Sequence, residues 1–486
     1  MMNQSPTITP NYVNGQLSNG QKKHLAVVSP VDGRILSKVV LSNKGDLDKA
    51  VDKAQKAFPA WSQKTLKERV QVFYTFRQLL IDHLDELGQL IHLENGKTLG
   101  EAKAEIRKGI ELTEFACSLP QFINDEIQIV SQGIECRSTH VPLGVVASIT
   151  PFNFPAMVPL WTIPNALALG NCMVLKPSEK TPMAAIKIAE LLSKAGLPDG
   201  VFNVVNGDKE IVEAICDHPA ILAVSFVGST KVAKIVYKRA TSQLKRCMAM
   251  GGAKNHLIVL PDAHLDMAAN IVASMAGCAG QRCMAASAMV AVGNTDTIIQ
   301  QICKEAKNWE AGNNLGAVIS MEAKHRIEKY ITEAVEMGAE LLVDGRNTKP
   351  KGLENGSYVG VTILDKVRPD MQIAKEEVFG PVLVIMRTND IDEAIKIENT
   401  SNYGNASSVF TQNGSLANYI MDRVSAGMVG VNVGVPVPRE PFSFGGWNES
   451  RFGVNDITGK SSISFWTKIK KRTTKWNAED WNDWMS

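Results

Sequence analysis

The 486-residue chain lacks the spacings by which metal sites and disulfide scaffolds are recognised in a sequence. Its eight cysteines form no CxxC pair, and its eight histidines form no HExxH. A chain of this length buries a large core without disulfide bonds. We therefore expect reduced cysteines and no metal held by protein ligands.

The chain also lacks a strong excess of either charge and any long apolar run. It carries 52 Lys and Arg against 50 Asp and Glu, a formal charge of +2. Proteins dedicated to nucleic acid or membrane surfaces carry a strong basic bias, so neither class is expected. No apolar run approaches the ~18 residues of a membrane span, and MMNQSPTITP is unlike a signal peptide. These absences favour a cytoplasmic enzyme with no membrane contact. The one basic run, KIKKRTTKW, is interpreted as a solvated strand face.

The apolar spacing divides the chain into a helical part and a mixed part. Residues 46–58 and 66–93 have helical spacing, and Gly96 is a plausible stop. From residue 143 the short apolar runs VVASIT, CMVLKP, VFNVV and AVSFVGS alternate with helical patterns. This alternation predicts βαβ units and a parallel sheet.

A second strand–helix series runs from residues 256–260 to 429–433. Residues 125–141 and 462–476 read as isolated extended segments that have no partner within either series. We expect them to pair across subunits or to be plain edge strands, and the pattern does not choose between the two.

Three polar motifs directly follow predicted strands, at the sheet edge where parallel sheets bind ligands. In TPFNFP (150–155) the amide of Asn153 is suited to donate to a developing oxyanion, with an Asx turn as the alternative. In KPSE (176–179) Lys176 would meet ribose hydroxyls. In FVGST, Gly228 and Ser229 open a helix whose free amides favour a phosphate. The dinucleotide pattern GxGxxG does not occur.

Cys283, in AGQRCMA, is the cysteine whose role is open between nucleophile, disulfide half and small buried side chain. A nucleophilic cysteine needs thiolate character, which comes from positive charge, a helix N-terminus or a base. Here Arg282 would supply the charge, and the small residues around Cys283 predict the start of a helix. Cys278 and Cys303 are interpreted as core fillers.

Together with EEVFGPV (376–382), NYG (402–404) and FSFGG (442–446), these motifs resemble the aldehyde dehydrogenase superfamily in their order and spacing. The resemblance extends from near residue 46 to near residue 470. It implies an α/β fold with three parts and a homodimer or homotetramer. The parts are a Rossmann-like NAD-binding domain, an α/β catalytic domain and a β oligomerisation arm, expected at 1–124 with 143–250, at 251–440, and at 125–142 with 461–486, respectively.

The resemblance also implies roles for single residues. Cys283 would attack an aldehyde carbonyl, Asn153 and the Cys283 backbone amide would hold the oxyanion, and hydride transfer to NAD would leave a thioester. Glu179 beside the ribose would favour NAD over NADP. The positions implied for the cofactor are Phe152, Lys176, Glu179, Gly228, Ser229, Glu377 and Phe379, while Trp161 and Phe444 match aromatic positions of the aldehyde tunnel or pack only.

The chain departs from the family pattern where hydrolytic members carry a glutamate that activates water. Met250 stands at that place, and no acid lies between Gln243 and Asp262. Methionine cannot accept a proton, so the base for hydrolysis is missing. His256, which begins an apolar strand, is interpreted as structural. A thiol is a far better nucleophile than water, which makes coenzyme A the expected acyl acceptor.

The pair GAKNH and GQRCMA resembles the methylmalonate-semialdehyde dehydrogenase branch of the superfamily, which is CoA-acylating. The resemblance implies oxidative decarboxylation of methylmalonate semialdehyde to propionyl-CoA and of malonate semialdehyde to acetyl-CoA. Arg282 would bind the substrate carboxylate. Arg107 would be a second clamp, or else a solvated helix residue. The alternatives are a hydrolytic enzyme that recruits another base and a catalytically silent scaffold.

Overall fold

The computed structural model describes residues 7–19 and 23–476. Residues 1–6 and 477–486, which belong to the expected NAD-binding domain and arm, therefore lie outside the described residues. The strands of the described part are β1 (Ile8–Thr9), β2 (Asn11–Val13), β3 (Gln16–Ser18), β4 (His24–Val28), β5 (Ile35–Val40), β6 (Glu126–Ser131), β7 (Ile134–Pro142), β8 (Val145–Ile149), β9 (Cys172–Lys176), β10 (Phe202–Val204), β11 (Ile221–Val227), β12 (Arg246–Met250), β13 (Asn255–Val259), β14 (Ala286–Val292), β15 (Glu340–Val343), β16 (Thr362–Asp365), β17 (Val382–Thr388), β18 (Tyr403–Gly404), β19 (Ala406–Phe410), β20 (Met428–Val431), β21 (Trp447–Asn448), β22 (Arg451–Phe452) and β23 (Thr467–Lys475).

The helices of the same part are α1 (Lys44–Gln63), α2 (Leu66–Asp82), α3 (Leu84–Asn95), α4 (Leu99–Phe122), α5 (Met157–Ala168), α6 (Met183–Lys194), α7 (Lys209–Asp217), α8 (Thr230–Ser242), α9 (Met267–Ala276), α10 (Asp296–Ala306), α11 (Met321–Glu336), α12 (Gln372–Lys375), α13 (Ile391–Asn399), α14 (Gly414–Met421) and α15 (Ser461–Trp466). None of these helices is both long and apolar enough to cross a membrane.

The N-terminal helices correct one prediction. The single helix expected over 66–93 is two helices, α2 and α3, which are separated at His83. Gly96 does end α3, in the left-handed conformation with φ 91° that glycine adopts without strain. Helix α4 begins with a capping box in which Thr98 and Glu101 satisfy each other's backbone N–H groups.

The predicted βαβ series forms the parallel centre of an eight-stranded sheet. Its order is β22-β12-β11-β8-β9-β10-β2-β3, and the five strands from β12 to β10 are parallel. The outer strands β22 and β2 pair antiparallel. Since β22 lies at 451–452, the sheet includes residues beyond the 143–250 range expected for this domain. The carboxyl ends of β8, β11 and β12 share one edge.

The second strand–helix series forms a seven-stranded sheet of order β15-β16-β17-β14-β13-β19-β20. All neighbours are parallel except β15, which pairs antiparallel with β16. The central strands β13 and β14 are almost wholly buried. Each of the two large sheets therefore carries its own apolar core.

The two isolated extended segments pair with each other within one chain. Strand β23 runs antiparallel to β7 from Thr467↔Pro142 to Lys475↔Ile134, and β6 completes a three-stranded sheet. The prediction of an extended segment from residue 462 is wrong at its start, since Ser461–Trp466 is helical. The basic run on β23 is exposed, as expected of a solvated strand face.

Candidate active site

A cavity of about 520 Å³ lies between the two large sheets. Its walls are formed by the turn after β8, the ends of β11 and β12, the loop before β14, the start of α11 and the loop before β17. Of the predicted site residues, the structure brings together on this wall Phe152, Asn153, Trp161, Gly228, Ser229, Cys283, Glu377 and Phe379.

The turn after β8 carries Asn153 to the sheet edge, as the sequence predicts. Asn153 is buried, and its Nδ2 donates a hydrogen bond of 2.9 Å to the carbonyl oxygen of Gln281. An amide nitrogen has two hydrogens, so one N–H remains for a ligand in the cavity. The turn and the cysteine loop are thereby joined by a side chain that can also act on a reacting oxygen.

The expected helix start at Cys283 is wrong, because a strand follows the cysteine. Helix α9 ends at Ala276, Gly277–Gly280 makes one distorted 3₁₀ turn, and β14 begins at Ala286. Cys278 and Ala279 both have left-handed backbone, with φ 54° and 52°. A Cβ on Gly280 would collide with the backbone of Gly380 and Pro381. The loop is therefore shaped by a segment a hundred residues away.

Two asparagines that the sequence analysis missed fix the cysteine itself. Asn255 Nδ2 donates to the Cys283 carbonyl oxygen at 2.8 Å, and Asn405 Nδ2 donates to the same oxygen at 2.9 Å. Asn405 directly follows the NYG motif, so that motif was the available signal for it. A carbonyl that accepts two amide donors is held firmly, which orients the Cys283 side chain at the cavity.

Burial raises the pKa of the Cys283 thiol to about 12, and the negative charge of Glu377 acts in the same direction. The backbone N–H groups of Cys283 and Met284 and the charge of Arg282 lower this pKa by less. The thiol is thus neutral at pH 7 in this geometry. Arg282 lowers the pKa of Cys283 as expected, but desolvation raises it by more, and the expected helix start is absent.

Glu377 is a carboxyl residue that lines the same cavity as Cys283. Burial raises its pKa to about 7, although the Ala253 N–H and the Lys254 ammonium oppose the shift. A Cβ at Gly252 would collide with Glu377 Oε2, so the position needs a glycine to leave room for this carboxyl group. A carboxyl with a pKa near neutrality is suited to exchange protons at neutral pH.

Most of the residues expected to contact a dinucleotide lie together on the cavity wall. Ser229 is the N-cap of α8, and no side chain caps the free N–H groups of that helix. Free amides at a helix start favour a phosphate. Phe152 and Phe379 contact edge to face, with ring centroids 5.9 Å apart at 88°. Lys176 pairs with Glu179 at 3.0 Å behind this surface, and neither lines the cavity.

The structure does not bring Arg107 and Arg282 onto the cavity wall. Arg282 Nη2 donates to the carbonyl oxygens of Ala273 and Ser274, at 2.7 and 3.0 Å, at the end of α9. Its guanidinium packs over Gly277. Arg107 is exposed on α4. Adjacent side chains of a loop diverge, and Arg282 is not among the residues that line the cavity with Cys283.

Of the two aromatic tunnel candidates, Trp161 lines the cavity and Phe444 packs on Trp161 with ring centroids 4.8 Å apart. Met250 is the buried last residue of β12, and its carbonyl accepts the Gly228 N–H at 3.1 Å. Burial lowers the pKa of His256 to about 3, which supports its structural interpretation. No acid therefore faces the cavity from the stretch that Met250 begins.

One side of the cavity was not predicted from the sequence. It is formed by Lys180, which lies beside Phe152, and by residues just before and within α11. The latter are Ile319, Ser320, Glu322, Ala323, Arg326 and Tyr330. Arg326 and Tyr330 lie four residues apart and so share a helix face. That spacing was the only signal, and it is common on solvated helices.

This geometry agrees with the comparisons to known proteins. The model described as "Aldehyde dehydrogenase family" matches residues 17–472. The chain belongs to the aldehyde dehydrogenase family. It is 43% identical over 480 residues to malonate-semialdehyde dehydrogenase 1 of Geobacillus kaustophilus, covering 97% of this chain and 98% of the relative. It is also 43% identical to malonate-semialdehyde dehydrogenase of Pseudomonas aeruginosa, with 96% and 95% covered.

Solved structures confirm the aldehyde dehydrogenase fold. Methylmalonate-semialdehyde dehydrogenase from Oceanimonas doudoroffii superposes with a TM-score of 0.95 at 42% identity, covering 97% of this chain and 99% of the other. A Sinorhizobium meliloti protein described as methylmalonate-semialdehyde dehydrogenase, crystallised with NAD, gives 0.96 at 41% identity, with 98% and 99% covered. The resemblance to the superfamily and to its methylmalonate-semialdehyde branch is confirmed.

Proposed function

We propose that this aldehyde dehydrogenase oxidises malonate and methylmalonate semialdehyde with NAD and transfers the acyl group from Cys283 to CoA. One observation carries the proposal: Cys283 and Asn153 share a cavity, while the stretch that begins with Met250 offers no base for hydrolysis. The names and NAD complex of the relatives described above support the substrate class and the cofactor. The products are acetyl-CoA and propionyl-CoA.

Asn153 and Cys283 carry the first bond change. The Cys283 thiol gives its proton to the Glu377 carboxylate on the same cavity wall, the sulfur bonds to the aldehyde carbon, and the carbonyl electron pair moves to oxygen. The free N–H of Asn153 and the Cys283 backbone N–H donate to that oxyanion. When the carbonyl re-forms, the carbon loses hydride and becomes a thioester. NAD, when bound, accepts this hydride, and the uncapped start of α8 suits its phosphates.

The same donors serve the loss of the carboxylate. In a β-carboxy thioester, breaking the bond to the carboxylate moves its electron pair toward the thioester carbonyl. CO2 leaves and an enolate forms, which the N–H groups of Asn153 and Cys283 stabilise until the Glu377 carboxyl returns its proton to the enolate carbon. The CoA thiol then attacks the thioester carbon, its proton passes to the Cys283 sulfur, and Cys283 leaves as the neutral thiol.

The arginine clamp is part of the proposal. Arg282 uses Nη2 for two backbone carbonyls, and its Nε has no hydrogen-bond partner among the described residues. The guanidinium therefore keeps donors for a carboxylate. Arg107 is exposed and forms no ion pair with the described residues. The resemblance to the branch supports a clamp role for both arginines.

Glu377 favours a second candidate function, hydrolysis to the free acid. It lines the cavity with Cys283, and its pKa of about 7 suits a base that activates water. In that case the enzyme would turn over without CoA, and Glu377→Gln would abolish turnover while leaving the first burst of NADH. In the CoA-acylating case Glu377→Gln slows the burst instead, because no carboxylate takes the proton of the Cys283 thiol.

A further part of the proposal is a homodimer or homotetramer in the cytoplasm, and residues of the arm support the assembly. Ile127, Ile129 and Val130 on β6 are exposed by 57%, 77% and 52%. Exposed apolar strands of this kind are commonly covered by another chain. Light scattering of the purified enzyme gives the number of subunits.

The thioester is tested by rapid mixing of enzyme, NAD and semialdehyde without CoA, followed by mass spectrometry of the quenched protein. We expect one NADH per active subunit and an acyl adduct on the Cys283 peptide. Cys283→Ala removes both, while Cys303→Ala, a matched change of a half-buried cysteine outside the cavity, keeps both. An NADH burst in Cys283→Ala would refute the proposed function.

A further inference from the structure

The stretch ENGKTLGEAKAE, between α3 and the second turn of α4, buries four polar side chains. Glu94, Asn95, Lys97 and Glu105 are exposed by 0%, 2%, 2% and 2%. Lysine and glutamate are rarely buried unless they are paired and hydrogen-bonded, since desolvating a charge is costly. Four buried polar side chains so close to the cavity are therefore expected to have a specific function there.

Lys97 and Asn95 hold the two peptide groups that flank the Cα of Asn153. Asn95 Nδ2 donates to the Phe152 carbonyl oxygen at 2.9 Å. The Lys97 ammonium donates to the Asn153 carbonyl oxygen and lies 3.8 Å from the centre of the Phe154 ring. With both carbonyls fixed, the backbone that aims the Asn153 side chain has little freedom.

Glu105 completes the arrangement from α4. Its Oε2 accepts from Lys97 Nζ at 2.5 Å. Its Oε1 accepts the Ala156 and Met157 N–H groups at 2.8 and 3.0 Å. These N–H groups open α5, which has no cap from its own side chains. The ion pair thus fixes the turn on both sides of Asn153.

We propose that Lys97 is a positioning residue for the aldehyde oxidation proposed above, on which this inference rests. Its ammonium, neutralised by Glu105, holds the Asn153 carbonyl so that the Asn153 amide meets the oxyanion on Cys283. Misplacing a catalytic group by about 1 Å costs on the order of 100-fold in rate. A purely structural ion pair would affect folding without acting through Asn153.

The test uses variants that separate charge balance from positioning. Lys97→Met leaves the Glu105 carboxylate buried without its partner and is expected to lower stability. Lys97→Met with Glu105→Gln removes both charges, keeps the volume and leaves a carbonyl oxygen for the Ala156 N–H. Lys103→Met is the control, because Lys103 lies on α4 like Glu105 and pairs with exposed Asp85.

The rate of the NADH burst is measured in single turnover, with KM for semialdehyde and for NAD. The double variant is expected to melt closer to wild type than Lys97→Met, yet to slow the burst by roughly 10- to 100-fold. Both KM values stay within about twofold, and Lys103→Met behaves as wild type. A double variant with the wild-type burst rate, or one that folds no better than Lys97→Met, would overturn the proposal.

A second cycle asks whether Lys97 acts through Asn153. In an Asn153→Ala background the double variant is expected to change the burst by less than about twofold, since no amide remains to be positioned. If the double variant slowed the burst by the same factor with and without Asn153, the positioning role would be contradicted. If wild type itself gives no burst, the proposed function fails. The two failures are therefore distinguished by the wild-type trace.

Discussion

Asn153 Nδ2 lies 2.9 Å from the carbonyl oxygen of Gln281, two residues before Cys283. This hydrogen bond joins the edge of the eight-stranded sheet to the loop that precedes β14 on the seven-stranded sheet. The proposed oxyanion donor and nucleophile come from different sheets, and their distance is kept by a side chain that takes part in the reaction.

Asn153→Ala is expected to slow the NADH burst by roughly 10²- to 10³-fold, the usual effect of removing one oxyanion donor. The KM for semialdehyde should change little, because the interaction strengthens only as charge develops on oxygen. The measurement is stopped-flow absorbance in single turnover. Asn313→Ala, at an exposed asparagine, is the control. An Asn153→Ala burst at the wild-type rate would remove this residue from the mechanism.

Alkylation of Cys283 by iodoacetamide is expected to rise with pH from 6 to 9 without a plateau. With a pKa of about 12 the thiolate fraction grows throughout this range. The rise is shallower near pH 7, where Glu377 ionises and opposes the thiolate. Peptide mass spectrometry separates Cys283 from Cys303, the internal reference.

Glu377→Gln sharpens the alkylation experiment. Removal of the carboxylate should speed alkylation of Cys283 above pH 7 and leave it unchanged below about pH 6, where Glu377 is already protonated. A plateau near pH 6 or 7 in the wild type would show a thiolate stabilised by neighbouring charge, contrary to the desolvated thiol described here.

Glu398 gives a stability prediction away from the cavity. Burial raises its pKa from 4.5 to about 7, although it accepts the Ser425 N–H at 2.9 Å. Between these two pH values the unfolded chain has lost the proton that the folded chain keeps. The free energy of unfolding therefore falls as pH rises through that window, by on the order of 3 kcal/mol from this group.

Glu398→Gln removes that dependence and keeps an acceptor for Ser425. Relative to wild type, the variant should gain stability steadily from pH 4.5 to pH 7 and no further above it. Denaturant midpoints at each pH give the difference, with exposed Glu336→Gln as control. Parallel curves for Glu398→Gln and wild type would contradict the raised pKa.

Arg107→Leu and Arg282→Leu test the carboxylate clamp. Each should raise KM for malonate semialdehyde far more than KM for propanal, which has no carboxylate to bind. Propanal is the control because it makes the same contacts at its aldehyde. Equal effects on both substrates would mean that Arg282 acts only on the end of α9.

Local chemistry made parts of the site predictable from the sequence. The turn at Asn153 lies between prolines after an apolar run, and Ser229 follows a strand and opens a helix, so both could be located. The helix expected at Cys283 is absent: the backbone is left-handed at Cys278 and Ala279, and Gly280 packs closely against Gly380, which is distant in sequence. A contact between residues so far apart in the sequence cannot be predicted from the spacing of residues.

Side-chain direction was the second limit. The sequence places Arg282 beside Cys283 but does not show that its Nη2 binds the carbonyls of Ala273 and Ser274. Nothing in the sequence distinguishes Lys97 and Glu105 from exposed charged residues. Only tertiary packing makes them a buried pair beside Asn153. A charged residue is exposed so commonly that its burial cannot be anticipated from one sequence.

The dependence of turnover on CoA tests the central claim most directly. Malonate and methylmalonate semialdehyde are each mixed with enzyme and NAD, with and without CoA, and NADH and acyl products are followed. The account predicts a single burst without CoA, and sustained turnover to acetyl-CoA and propionyl-CoA with it. A large steady-state rate to free acid in the absence of CoA would contradict it.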